Sequence, residues 1–144
     1  VIKKNQRKTR FTVVFEHYPW FLGGNGKTFQ YARWSKFFDE NGVDLAVSAH
    51  NHIYLRTDAL YNDQETDGNS GTVYLQTPST DNERGESINE WKYNKDKIKI
   101  RWNEGAKTMG AILLKANSDQ LSLTAYDRYG NALDNVIVKA KKRK

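Results

Sequence analysis

The sequence predicts an α/β fold in which one βαβ unit leads into a mostly antiparallel sheet. Phe11–Phe15 and Val43–Ser48 are short apolar runs rich in β-branched residues, and a single helix-forming stretch lies between them. Beyond the second run, strand-like segments recur between turn clusters, with at most one helical turn in the polar segment 79–96.

Phe11–Phe15 reads as a buried strand that ends at the Glu16-His17-Tyr18-Pro19 segment, stopped by a proline that has no N–H for a ladder. Gly23-Gly24-Asn25-Gly26 is a loop. Thr28 is a good N-cap for a helix running to about Asn41, and Gly42 stands where a glycine closes a helix C-terminus. Tyr31, Trp34 and Phe38 share one helical face, with Phe37 beside it, while Arg33, Lys36 and Glu40 point elsewhere, so the stripe is core. Val43–Ser48 follows as a second buried strand, and a strand–helix–strand passage makes the two strands parallel.

Ile53–Arg56, Thr72–Gln76, Ile98–Trp102, Ala111–Lys115, Leu121–Tyr126 and Val136–Val138 are the further strands. Asp67-Gly68-Asn69 and Tyr129-Gly130-Asn131 mark turns between them. Leu121, Leu123 and Ala125 alternate with Ser122 and Thr124, as in a strand with one wet face. There is no internal repeat, and residues 1–144 are one domain's worth of chain.

Composition removes several chemistries. The chain has no cysteine, so a disulfide framework, a thiolate zinc site and a cysteine nucleophile are all excluded. No apolar run approaches the roughly 20 residues that cross a bilayer. The net charge of +6 is concentrated in the ends: 1–10 and 139–144 carry five Lys or Arg each, while 11–138 holds 13 basic against 17 acidic residues. Such ends are either solvated tails or a contact for nucleic acid or an anionic surface. Gly23 to Thr28 has the look of a phosphate-binding P-loop, but that motif needs glycine where Phe21 stands. The chain begins at Val1, directly before a strand-like run, and its natural start, with any targeting segment, is expected upstream.

The chain has three histidines, His17, His50 and His52, and each follows one of the two strands of the βαβ unit. Ligands of open α/β sheets bind beyond the carboxyl ends of the strands, so one crevice can receive all three. Two residues apart on extended chain, His50 and His52 would point the same way with their Cα atoms roughly 6–7 Å apart. That spacing suits two ions about 3.5–4 Å apart better than one ion.

His17-Tyr18-Pro19-Trp20 resembles the His-x-Pro segment of calcineurin-like metallophosphoesterases, especially the purple acid phosphatase-like branch. Asp44–Arg56 (DLAVSAHNHIYLR) is similar to that branch's strand followed by Gly-His-x-His-x-Tyr-x-Arg, with Ala49 in place of the glycine. Trp34-x-x-Phe37-Phe38 with Asn41-Gly42-Val43-Asp44 resembles the connecting helix, Gly71-Thr72-Val73-Tyr74 the next strand, and Gly110 to Val138 the terminal strands around a Tyr-Asp-x-x-Gly turn. The resemblance spans essentially the whole chain in order. It implies the C-terminal half of a four-layer α/β/β/α sandwich and a dinuclear site of divalent or trivalent ions (Fe, Mn or Zn). His17 and His50 would bind one ion and His52 the other, and a metal-activated hydroxide would attack a phosphate ester.

The family's other ligands come from its N-terminal half, in Asp-x-His, Gly-Asp and Gly-Asn-His segments that this chain does not contain. Three neutral histidines without a carboxylate bridge leave the charge of two ions uncompensated. The expectation is therefore an enzyme as a complete protein and an inactive piece alone, with the phosphate-ester substrate and the missing half as partners. No catalytic residue is identified in this half. Asp44 and Asp58 do not occupy motif positions. Phosphomonoester, diester, nucleotide and sugar phosphate all remain open. Localisation is not set by the sequence, and the resemblance is compatible with an extracellular or cell-surface setting. The alternative from another class is a non-catalytic binding or structural half-domain whose basic ends contact nucleic acid or anionic surfaces, although nucleic acid is not the expected partner.

Overall fold

The computed structural model describes residues 2–5, 8–21, 28–80, 98–102 and 110–141. The Gly23–Lys27 loop, residues 81–96 of the polar segment and the last three residues lie outside the described residues. A one-turn helix α1 (Ile2–Asn5) precedes β1 (Val13–Phe15), α2 (Phe29–Glu40) and β2 (Leu45–Ser48). There follow β3 (Tyr54–Tyr61), β4 (Gln64–Glu65), β5 (Thr72–Gln76), β6 (Ile98–Trp102), β7 (Gly110–Ala116), β8 (Gln120–Asp127) and β9 (Ala132–Lys139).

The described strands form two sheets. The first has six strands in the order β1-β2-β5-β3-β4, with β6 pairing β3, and the second has three in the order β7-β8-β9. β1 and β2 are parallel, Val13 opposite Leu45, so the strand–helix–strand expectation holds. β2 and β5 are also parallel, whereas β3 runs antiparallel to β5 and β6, and β7, β8 and β9 are antiparallel throughout. The architecture is the mixed α/β class expected.

α2 starts where Thr28 accepts a hydrogen bond from the Tyr31 N–H and ends in a Schellman turn, with Val43 N–H donating to Phe38 O at 3.0 Å and Gly42 at φ +59°. Tyr31 and Phe38 of its apolar stripe are buried against one face of the large sheet, in a cluster with Trp20, Phe21, Ile53, Leu55 and Tyr74. Trp34, expected in the same stripe, is 38% exposed and lies stacked on Phe38. The opposite face of the sheet offers Leu45, Tyr54, Val73 and Leu75 to Leu121, Leu123, Ala125 and Val138 of the small sheet. Helix, large sheet and small sheet thus form three successive layers.

Several strands differ from their expected form. Among the described strands β1 lies at the edge of its sheet, and although Val13 and Val14 pack on the two core clusters, Phe15 is 73% exposed, so the run read as buried is only partly covered. β3 runs on to Tyr61, well past Arg56, then reverses through Asn62 and Asp63, both at positive φ, into the two-residue β4. Asn and Asp tolerate the left-handed backbone that such a tight hairpin needs. Between Arg56 and Ala59 the β3–β5 register shifts, and the buried Thr57 hydroxyl accepts the Tyr74 N–H at 3.0 Å in place of a ladder carbonyl.

Candidate metal centre

β1 and β2 end side by side, and the segments beyond them are pinned to one another. Glu16 N–H donates to Val47 O at 3.0 Å, and Ala49 N–H donates to His17 O at 3.1 Å. From the other side Thr28 clamps the same segment: its hydroxyl reaches Pro19 O at 2.8 Å and Trp20 O at 2.9 Å, and its N–H donates to Trp20 O. The helix cap and the anchor of the histidine segment are therefore one residue. Trp20 and Phe21, 2% and 1% exposed, fix the chain below by packing on Phe38, Tyr31 and Tyr74.

These constraints bring two of the three histidines together. His17 Nε2 and His50 Nδ1 stand 3.1 Å apart, with the rings edge to face at 5.1 Å. Two imidazole nitrogens each about 2.0–2.1 Å from one ion would be roughly 3.0 Å apart at a right angle and roughly 3.4 Å at a tetrahedral one. The observed separation falls between these, so the pair fits a single ion. Without an ion, one nitrogen donates to the other, and the tautomers of the two rings decide which.

His52 is placed differently. The extended backbone expected through His50 and His52 does not occur, since both lie at positive φ, +75° and +58°. Asn51 N–H donates to Ala49 O at 3.0 Å, which closes a tight γ-turn of the rare positive-φ kind with His50 at its apex. Left-handed backbone at a non-glycine residue costs of order 1–3 kcal/mol and gathers at functional sites. Among the described residues no group of three or more His, Asp or Glu side chains is placed to hold a metal, so His52 does not complete the His17–His50 pair. Its Nδ1 is buried without a hydrogen-bond partner.

That orphaned nitrogen has company. Trp20 Nε1, Asn51 Nδ2 and both amide atoms of Gln76 are also buried without partners. Gln76, 1% exposed, ends β5 directly beside Ser48 of β2 in the parallel register, two residues before His50. A buried polar atom left unpaired costs about 1–3 kcal/mol, so those of Asn51, His52 and Gln76 are candidates for contact with further groups. Sequence reasoning missed Gln76 and Asn51. The one available signal is the polar end of the otherwise apolar run Thr72–Gln76, placed beside the histidine strand.

The acidic residues near these strands are engaged elsewhere. Asp44 is fully buried, takes the Thr12 N–H at 2.7 Å and pairs with Lys141 at 3.2 Å. Asp58 lies 3.5 Å from Arg56, and Glu16 accepts the Tyr18 N–H at 3.2 Å. None of them is a carboxylate bridge between ions.

Comparison with known proteins places the fold. No family model and no curated protein matches the chain. Among solved structures, a purple acid phosphatase from yellow lupin (Lupinus luteus) seeds matches over 94% of this chain and 26% of its own, with a TM-score of 0.65 and 16% identity. GAP50, described as the anchor in the inner membrane complex of Plasmodium, matches over 99% of this chain and 41% of its own, with a TM-score of 0.69 and 13% identity. The chain thus spans well under half the length of either neighbour. The fold is therefore similar to that of part of each of these two proteins.

Proposed function

We propose that this chain is part of a metal-dependent phosphoesterase, in which His17 and His50 hold one ion and His52 contributes to a second. The observation that carries the reading is the 3.1 Å approach of His17 Nε2 to His50 Nδ1 at the carboxyl ends of two adjacent parallel strands. The fold likeness to a purple acid phosphatase supports it. The residues fit a metal: two imidazole nitrogens stand 3.1 Å apart, and a third histidine keeps a buried nitrogen unpaired in the adjoining turn.

When bound, such ions acidify a coordinated water and polarise a phosphoryl oxygen, which is the chemistry of ester hydrolysis. This chain's own residues hold the geometry. The Ala49-to-His17 hydrogen bond sets the height of one ring against the other, and the turn at His50 places its Nδ1 beside His17 Nε2. Thr28 and Trp20 keep the His17 segment from moving away from the sheet. Among the described residues the acids near the strands are engaged in structural contacts, so carboxylate donors for the remaining positions would have to come from elsewhere.

The test is titration of the full chain with Zn²⁺ or Mn²⁺ while the imidazole ring signals are followed by NMR. His17 and His50 should respond together, and His17→Ala should remove the response of both. A response at neither ring would overturn the reading. It would favour a second one, a structural half-domain without catalysis, for which the GAP50 likeness is the supporting observation.

A further inference from the structure

Beside the histidine pair lies an open cleft of about 460 Å³, lined chiefly by Tyr18, Pro19, Phe29, Gln30, His50 and Asn51. Its volume is that of a small-molecule site, within the range of roughly 300–1,000 Å³. His50 is a wall of this cleft and also a member of the pair, so the cleft opens from the position that a metal-bound phosphoryl group would take.

The lining is unusual in what it leaves uncovered. Phe29, in the first turn of α2, is 73% exposed, and Tyr18 is 52% exposed with its ring 5.0 Å from that of His50. Neither ring belongs to the buried clusters that hold the layers together. Yet the backbone beneath them is tied down by Thr28, which caps α2 and bonds Pro19 O. Two exposed aromatic rings on a fixed frame thus line the cleft, and aromatic faces and edges select flat, unsaturated partners. Asn51, 8% exposed, also lines the cleft, and its Nδ2 is a buried donor with no acceptor among the described residues.

We propose that this cleft receives the organic group of the phosphate ester, and that this group is a flat aryl or heteroaryl ring carrying a hydrogen-bond acceptor. The inference rests on the phosphoesterase reading above and deepens it, by choosing aromatic esters over sugar or alkyl phosphates. Tyr18 and Phe29 flank the ring, His50 lies at the phosphorus end, and Asn51 donates to the acceptor. All four are specificity residues for the ester group; only His50 also belongs to the metal pair.

The probes are phenylphosphonate and methylphosphonate, which share a headgroup, and benzyl alcohol, which lacks it. Binding to the Zn²⁺-treated full chain is read by saturation-transfer NMR and by calorimetry. Phenylphosphonate should bind roughly tenfold tighter than methylphosphonate, the effect of burying one aromatic ring. Phe29→Ala, at an exposed position, should erase most of that difference and leave methylphosphonate unchanged.

Equal affinity of the two phosphonates, with His17 and His50 still responding to metal, would overturn the aryl cleft alone. Benzyl alcohol binding as tightly as phenylphosphonate would overturn its link to phosphate esters. No response of the histidines to metal would overturn the phosphoesterase reading and the cleft's role with it. A preference that survives both Phe29→Ala and Tyr18→Ala would place the ring elsewhere. Concentration-dependent self-association that is abolished by Phe29→Ala, without phosphonate discrimination, would mean that a second copy of the chain covers the patch.

Discussion

Arg56 on β3 and Asp134 on β9 close a buried ion pair between the two sheets, with Nε 2.6 Å from Oδ2 and Nη2 3.2 Å from Oδ1. Their side chains are 7% and 6% exposed, and Tyr54 OH adds a third bond to Asp134 Oδ2 at 2.7 Å. Two fork-like contacts and a phenol thus satisfy one carboxylate at the sheet-to-sheet seam. Removing one member strands the other as a buried, uncompensated charge. Asp134→Ala is expected to cost about 3–5 kcal/mol in urea denaturation, whereas the double change Arg56→Met with Asp134→Leu should recover a large part of it. A loss below about 1 kcal/mol for Asp134→Ala would show that the seam does not depend on the pair.

The same pair sets an acid limit. Burial alone pushes the Asp134 carboxyl up, but the hydrogen bonds from Arg56 and Tyr54 and the guanidinium charge outweigh it, so the group lies below the ordinary carboxylate range. A carboxyl held lower in the folded than in the unfolded state stabilises the fold above the unfolded value of about 3.9 and loses that contribution as pH falls through the folded one. Asp39 works in the opposite sense. Burial, partly offset by the Asn62 N–H, raises its carboxyl, so it disfavours the fold where it is ionised and is relieved on acidification. Thermal stability should therefore fall below about pH 4, and Asp134→Asn should flatten that acid limb. An unchanged limb in the variant would assign acid unfolding to other carboxylates.

Gly71 and Gly68 make a matched comparison, since both lie at positive φ, +84° and +83°. A Cβ on Gly71 would meet the Leu60 carbonyl carbon and oxygen at 2.6 Å, while one on Gly68 would meet nothing within 4 Å. Gly68→Ala should cost only the left-handed backbone, about 1–2 kcal/mol. Gly71→Ala must also push β3 from β5 and should lose at least about 3 kcal/mol, or fail to fold. Similar melting temperatures for the two variants would contradict this packing.

Reading the sequence recovered what depends on local pattern and missed what depends on neighbours. The parallel β1–β2 pair follows from the apolar runs around α2, and the cap at Thr28 and the turn at Gly42 follow from residue type. The exposed edge at Phe15 does not, because whether an apolar strand is central or marginal depends on what pairs with it. Likewise the meeting of His17 and His50 was foreseeable from strand ends, but the spacing argument for His50 and His52 assumed extended chain. The hydrogen bond from Asn51 N–H to Ala49 O bends that chain into a turn, and no residue type there announces it. Tyr54 and Arg56 reach Asp134 across about 80 positions, a partnership that no local window contains.

Gln76 yields the sharpest separation of stability from function. The end of β5 is fully buried, and methionine is close to glutamine in volume. The glutamine instead carries an amide whose Oε1 and Nε2 both lack partners among the described residues. If those atoms serve a group received at the histidine edge, the fold alone is better without them. Gln76→Met, close in volume, should then stabilise the chain by about 1–2 kcal/mol in urea denaturation. It should also weaken phosphonate binding to the metal-treated chain, because the amide next to the His50 strand is gone. Destabilisation by more than about 1 kcal/mol would mean that the amide is paired inside the fold. Stabilisation with unchanged binding would make Gln76 a buried defect with no part in the site.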